Sequence, residues 1–369
     1  MPEEGRKLEV KILYVISTLG GGGAESQLCT YALELKKTHP EIQFHICAVK
    51  AGGVFEKKLS DSGIEFTVLN SGSLLRSIRK VRKMIRKERY DIVHAHMFRS
   101  DIIARMATIG CKTKVVATHH GLGKWKTRPM LWVDRLTKHR VDQFIMVSQQ
   151  SYDLRLRREK YPASRMTVVY NGLSDRFLSQ RSKELPQDGK SVVIGTIARM
   201  TDNKQINLMI DVMKDLEGYP NLRYEVIGDG ENYDKLVQQI KELRLESRVC
   251  LLGWQDDVLK VIRHWHIFAL PSVNEDLPVA MMECMAQGIV PVASKVGGVI
   301  TLLDNGKNGI LCDSGNRKTF ADAIEFLMSH PGKYAEFSAN CRRIIQERYM
   351  IQKTVNDTVA IYMRLREKI

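Results

Sequence analysis

Short apolar runs and amphipathic stretches alternate along most of the chain. Residues 10–16 form an apolar run rich in β-branched residues, and this predicts a first strand. Runs at 42–49, 66–69, 90–96, 115–121, 144–148 and 166–172 predict six more. A second series at 192–198, 222–230, 249–253, 267–270, 289–293 and 309–312 predicts another six. Between the strands the apolar period lengthens to that of a helix. A helix is expected after the glycines at 20–23 and through Leu35. Another is expected over 74–89, with Leu74, Ile78, Val81 and Ile85 on one face. A third ends near Gly288, and two more, near 319–329 and 352–368, follow the last strand. Strands alternating with helices predict parallel α/β sheets. Residues 178–190 carry no apolar period and read as a linker between residues 1–177 and 191–351.

The 369 residues suffice for two domains, and 44% hydrophobic with 27% charged content predicts packed globules. No run of about 20 uncharged apolar residues occurs, so no spanning helix is expected. The polar start of the chain has no secretory apolar region, and the seven cysteines are scattered without a C-x-x-C pair. These features point to a reducing, cytoplasmic setting. The charge is uneven. Residues 1–175 hold 31 Lys and Arg against 17 Asp and Glu, whereas 176–369 hold 26 against 25. The first half is therefore expected to meet an anionic partner: nucleic acid, a membrane surface or an acidic substrate. Arg79, Lys80, Arg82 and Lys83 belong to the basic helix at 74–89, and Trp125 and Trp132 lie among cations. This composition suits peripheral docking on anionic lipid.

Candidate chemistry gathers at strand ends. Glu275 follows the strand at 267–270, and Glu283 lies eight positions later on the next helix. Ligands of open parallel sheets bind at the carboxyl ends of strands. Pro278 suits a first helical turn, which would leave the amides from Leu277 to Met281 to hold an anion. Two carboxylates around an anion-holding helix start fit a sugar attached to a phosphate. Two ordinary surface glutamates are the competing reading. The run Gly20–Gly21–Gly22–Gly23 sits at the first strand-to-helix turn, with Glu25 next to it, and suits a close-approaching phosphate or sugar. Arg199 and Lys204 follow a strand end and can both reach one diphosphate, whose charge grows as the sugar bond breaks. His96, His119 and His120 end strands and are candidates to line a cleft; His94 is a weaker one. No spacing of histidines and carboxylates suggests a metal site, and the adjacent Asp256 and Asp257 read as solvated.

The Glu275–Glu283 spacing, with Ala286-Gln-Gly288 and Ser294-Lys-Val-Gly-Gly298 after it, resembles the donor site of retaining, family-four (group 1) glycosyltransferases of the GT-B fold. Gly-Gly-Ala-Glu at 22–25, the motif ending at His120 and the Arg199/Lys204 pair resemble that family in the same order. The resemblance implies two Rossmann-like α/β domains facing each other across a cleft. It implies a C-terminal nucleotide-sugar domain, an N-terminal acceptor domain and a final helix, 352–369, that returns to the N-terminal domain.

It also implies roles. Arg199 and Lys204 hold the diphosphate. Glu283 takes the ribose hydroxyls. Glu275 and the backbone after it (Asn274, Asp276, Leu277, Pro278 and Val279 are grouped with it) hold the sugar. Gly21, Gly22 and Gly23 approach the phosphates, and His120 contacts the sugar near the reacting carbon. Gly253 lies at the strand end that meets the base. Glu25, His96 and His119 are acceptor-side candidates. The family carries Lys-Gly where this chain has Lys204-Gln205, so the turn there is in question.

The expected reaction is metal-free, cofactor-free transfer of a hexose from a UDP- or GDP-sugar, with retention. The acceptor is expected to be a glycan or lipid-linked, in surface polysaccharide assembly. The alternatives are a sugar-nucleotide epimerase on the same fold, which needs no acceptor, and a nucleic-acid binder using the basic half. The second lacks any finger, RNP-type or homeodomain-like pattern, so nucleic acid is not expected.

Overall fold

A computed structural model of the chain describes residues 10–123, 126–179, 182–186 and 189–367. It divides into two compact units. One runs to Gly172 and resumes at Ile351; the other is Leu173–Met350.

The first unit is built on seven strands: β1 (Val10–Ile16), β2 (Ile42–Ala48), β3 (Phe66–Val68), β4 (Ile92–His96), β5 (Lys114–His119), β6 (Gln143–Met146) and β7 (Met166–Val168). Their order is β3-β2-β1-β4-β5-β6-β7, with all neighbours parallel. The second unit has six: β8 (Val192–Ile197), β9 (Leu222–Ile227), β10 (Val249–Gly253), β11 (Ile267–Leu270), β12 (Val290–Ser294) and β13 (Ile310–Cys312). Their order is β10-β9-β8-β11-β12-β13, again all parallel. Such strands are apolar throughout because helices cover both faces. The burial of β4, β6, β11 and β12 along their whole lengths follows that rule.

Each sheet reverses its strand order once, between β1 and β4 and between β8 and β11. These are the switch points where open α/β sheets leave a crevice at their carboxyl ends. The candidate residues sit there: Gly21 to Gly23 after β1, His96 at the end of β4, Arg199 after β8 and Glu275 after β11.

Three expectations need correction. The stretch read as a linker belongs to the second unit, where Lys183 N donates to Ser338 Oγ at 2.7 Å and Leu185 packs on the core. The chain instead changes unit at Gly172 and Leu173, beside its return at Met350 and Ile351. A Cβ on Gly172 would stand 2.6 Å from Ile351 Cα, so the crossing demands glycine. Three helices, not two, follow β13: Arg317–Ser329, Pro331–Arg348 and Ile351–Arg366. The missed one buries Tyr334, Phe337, Cys341 and Ile345, a helical spacing present in the sequence but interrupted by charge. Finally, helix Leu74–Glu88 buries Val81 and Ile85 as expected, but Leu74 is 40% exposed at its start. No helix among the described residues is long and apolar enough to cross a membrane.

Candidate active site

In the second unit, two loops meet at the β8/β11 switch point. A short 3-10 turn, Asp202–Lys204, follows β8. Lys204 Nζ donates to Glu275 Oε1 at 2.5 Å, across 71 positions of sequence. The same loops are tied by Asn203 Nδ2 to the Asn274 carbonyl at 3.1 Å and by Val273 N to the Asn203 carbonyl at 2.9 Å. Two of the predicted residues are therefore in direct contact, while Arg199 is exposed just after β8. Where the related pattern has glycine, Gln205 adopts the left-handed region, at φ 45° and ψ 43°. The turn is left-handed here, and the glutamine bears its cost.

The segment after Glu275 is held from behind. Gly298 N donates to the Glu275 carbonyl at 3.3 Å, and a Cβ on Gly298 would collide with the Asp276 carbonyl. Helix Val279–Ala286 then begins after Pro278, which is its extended N-cap and not part of the first turn as expected. The Pro278 carbonyl accepts from Met281 N at 3.1 Å and Met282 N at 3.2 Å. Met281 is thus removed from the predicted anion-holding set. The N–H groups of Leu277, Val279 and Ala280 have no backbone acceptor among the described residues. Glu283 lies half-buried on this helix. Gly253 ends β10 at φ 66°, and its carbonyl accepts from Gly228 N at 2.9 Å. Asp256 accepts from Trp254 Nε1, and no group of three or more potential metal ligands occurs among the described residues.

In the first unit, Gly22 is the N-cap of helix Gly23–Thr38. A Cβ there would strike the Glu25 carboxylate, which accepts from Thr18 Oγ1 at 2.8 Å. The glycine run is therefore a helix start with exposed backbone at Gly21 and Gly23, the geometry that favours an anion. Beyond β4 and β5 the histidines separate. His96 Nδ1 and His120 Nε2 share a proton at 2.8 Å, with their rings stacked 5.2 Å apart. His120 alone of the three candidates is half-buried. Burial holds its imidazole down at about 4, so it is neutral at physiological pH. His94 is part of a chain from Tyr14 through Tyr362 Oη to Thr118 Oγ1, and burial holds it at about 3.

His119 does not meet its acceptor-side expectation. It is 3% exposed, stacked on Phe144 and facing inward. There it borders a buried ion cluster. Arg105 pairs with Asp101 and Asp134, Lys126 with Asp134 and Glu159, and Arg155 with Glu159. Burial, helped by Arg155, Lys126 and Arg105, holds His119 well below its usual range. Arg155 also binds the Gly121 carbonyl at 2.7 Å, which fixes the loop that follows His120. Sequence reasoning missed this cluster because its members are scattered from 101 to 159 and each reads as a surface charge.

Residues 179–344 match the family model described as Glycosyl transferases group 1, and residues 21–177 match Glycosyltransferase Family 4. The chain belongs to the group 1 glycosyltransferases, with the GT-B fold. Among relatives of this glycosyltransferase is N-acetyl-alpha-D-glucosaminyl L-malate synthase of Bacillus anthracis, 24% identical over 89% of this chain and 85% of that protein. Another is the Escherichia coli UDP-Gal:alpha-D-GlcNAc-diphosphoundecaprenol alpha-1,3-galactosyltransferase, 24% identical over 88% of this chain and 90% of that one. Anabaena Alr3699/HepE, solved with UDP-glucose, superposes with a TM-score of 0.83 at 23% identity, over 96% of this chain and 99% of that one. The matched families make this chain an enzyme of sugar transfer, a glycosyltransferase.

Proposed function

We propose that the enzyme transfers a hexose from a UDP-sugar, with retention and without a metal ion, to a lipid-linked acceptor in surface polysaccharide assembly. The Lys204–Glu275 pair carries this reading. It sets a cation for the departing diphosphate beside an acceptor for sugar hydroxyls, on one wall of a switch-point crevice. UDP is favoured over GDP by the UDP and UDP-glucose bound to HepE, and a lipid-linked acceptor by the diphosphoundecaprenol substrate of the E. coli relative.

Arg199, Lys204 and the amides of Leu277, Val279 and Ala280 face the diphosphate. Glu283 accepts from the ribose hydroxyls. Glu275 holds the sugar, and in the first unit the helix start behind Gly21 to Gly23 suits an anion. In the first unit, neutral His120 is held against His96 at the carboxyl end of the sheet. In the retaining step the bond from the anomeric carbon to the phosphate oxygen breaks. The acceptor oxygen bonds to the same face of that carbon, and its proton passes to the departing phosphate. Cations and amides supply the charge stabilisation that a metal would otherwise give.

Purified protein is incubated with UDP-hexoses and a diphosphoundecaprenol-linked acceptor, and product stereochemistry is read by NMR. Transfer with the anomeric configuration kept, undiminished by EDTA, is expected. An inverted product, or activity lost in EDTA and restored by magnesium or manganese, overturns the corresponding part. Conversion of the UDP-sugar without acceptor would favour an epimerase. Glu283→Ala is expected to weaken UDP binding by about 1–3 kcal/mol, because it strips the ribose of its acceptor.

A further inference from the structure

Helix Arg128–Thr137 is turned inside out. Its only buried residue is Asp134, whose carboxylate binds Arg105 at 2.8 Å and Lys126 at 2.7 Å inside the ion cluster. Burial works to raise this carboxyl, but Arg105 and Lys126 outweigh it and hold it at about 2. A globular helix ordinarily turns its apolar stripe to the core. Here the attachment is ionic and the apolar residues point outward. Trp132 is 63% exposed and Leu136, one turn on, is 66% exposed, with Val133 at 43% beside them. Leu156, on the neighbouring turn Arg155–Glu159, is 38% exposed. At ~100° per residue, Arg128 and Arg135 border the same stripe.

We propose that this face docks on an anionic lipid bilayer, with Trp132 and Leu136 entering the headgroup region and Arg128 and Arg135 meeting its negative charge. The composition is that of an interfacial helix: an aromatic and a leucine on one side, with cations at the margin. Charge selects this occupant. The unit carrying the patch holds 35 Lys and Arg against 18 Asp and Glu, whereas the other holds 22 against 24. A second copy laid on the same patch would set arginines against arginines, whereas an anionic surface attracts them. The basic helix Leu74–Glu88 is a poorer contact. Its Val81 and Ile85 face inward, its exposed leucines, Leu74 and Leu75, are confined to the first turn with no aromatic beside them, and two of its cations are committed: Lys80 to the Leu69 carbonyl at 2.8 Å and Arg82 to Met106 at 2.7 Å. Trp125 lies outside the described residues. The inference rests on the lipid-linked acceptor for its purpose, not for its physical chemistry.

Flotation of the full chain tests it, using vesicles of phosphatidylcholine with or without phosphatidylglycerol. Wild type should float with the anionic vesicles and not with the neutral ones. Trp132→Ser with Leu136→Ser should lower partitioning at least tenfold, while Trp132→Leu should retain most of it. Arg79→Gln with Lys83→Gln should change it less than threefold. Both sites are on the surface, so melting temperature and UDP affinity should stay at wild-type values. UDP affinity reports on the donor reading separately: its absence in wild type would sink that reading and leave the flotation result standing. Docking through this helix is overturned if wild type does not float, or if the serine variant floats as well as wild type. It is also overturned if that variant only converts a dimer to a monomer in sedimentation velocity, which would make a second copy the occupant.

Discussion

Glu275→Gln should move nucleotide binding and turnover in opposite directions. Lys204 donates to Glu275 at 2.5 Å, with the ammonium 24% exposed and the carboxylate 10% exposed. A diphosphate that needs Lys204 must first take it from Glu275. Exposed pairs are worth about 0.2–1 kcal/mol, and breaking fully buried ones costs about 3–5. With a quarter of the ammonium in water, solvent screening places this pair near the low end, at about 1–1.5 kcal/mol. Glutamine keeps the shape and removes the charge, so Lys204 is released to the nucleotide. UDP, which lacks the sugar, should then bind about five- to tenfold more tightly. Turnover should fall in the same variant, because the sugar loses a charged acceptor. Calorimetric titration with UDP and steady-state transfer kinetics measure the two effects. In a Lys204→Ala background the gain in UDP affinity should vanish, since no competition remains. That single change should itself lower kcat by about 10²–10³, the scale of one lost transition-state charge contact. Unchanged or weaker UDP binding by Glu275→Gln would refute the competition and the roles built on it.

Acid should destabilise the first unit. His94 and His120 are held at about 3 and about 4 by burial, against about 6.5 in an unfolded chain. Between those limits the unfolded state binds the extra protons, so stability falls as pH is lowered, by about 1.4 kcal/mol per pH unit for each histidine. Melting curves from pH 7 to 5 should show this, and a flat profile would contradict it. Gly298→Ala should cost about 1–3 kcal/mol and weaken UDP binding as well, because the new methyl displaces the Asp276 carbonyl; calorimetry reads both. Gln205→Gly should not destabilise, since the left-handed turn costs an L-residue about 1–2 kcal/mol and glycine nothing. A loss above 1 kcal/mol in that variant would show that the glutamine side chain supports the turn.

The alternation of apolar runs made all thirteen strands legible, since a doubly covered parallel strand is apolar along its length. The donor loop was legible because Glu275, Pro278 and Glu283 are close in sequence. What pairs across long separations was not. Nothing local to Lys204 announces Glu275, and nothing local to Asp134 announces Arg105. The histidines show the same limit. A strand-end position predicted exposure for His96, His119 and His120 alike, but the ion cluster under β5 draws His119 inward and leaves His120 at the rim. The inverted helix at 128–137 was half legible: tryptophan among cations was visible, whereas its buried face could be known only from the cluster. Gln205 shows the converse, a left-handed backbone at a residue whose type does not announce it.

The return of the chain at Ile351 has a consequence for biosynthesis. Val355, Val359 and Tyr362 of the final helix complete the core of the first unit, and Tyr362 Oη links Tyr14 to His94 inside it. A nascent chain makes these residues after both sheets. Domains usually mature in the order in which they leave the ribosome. Here the later unit, Leu173–Met350, is complete in sequence while the earlier one still lacks the helix that closes its apolar seam. The segment synthesised first is therefore the one that waits longest for its last part.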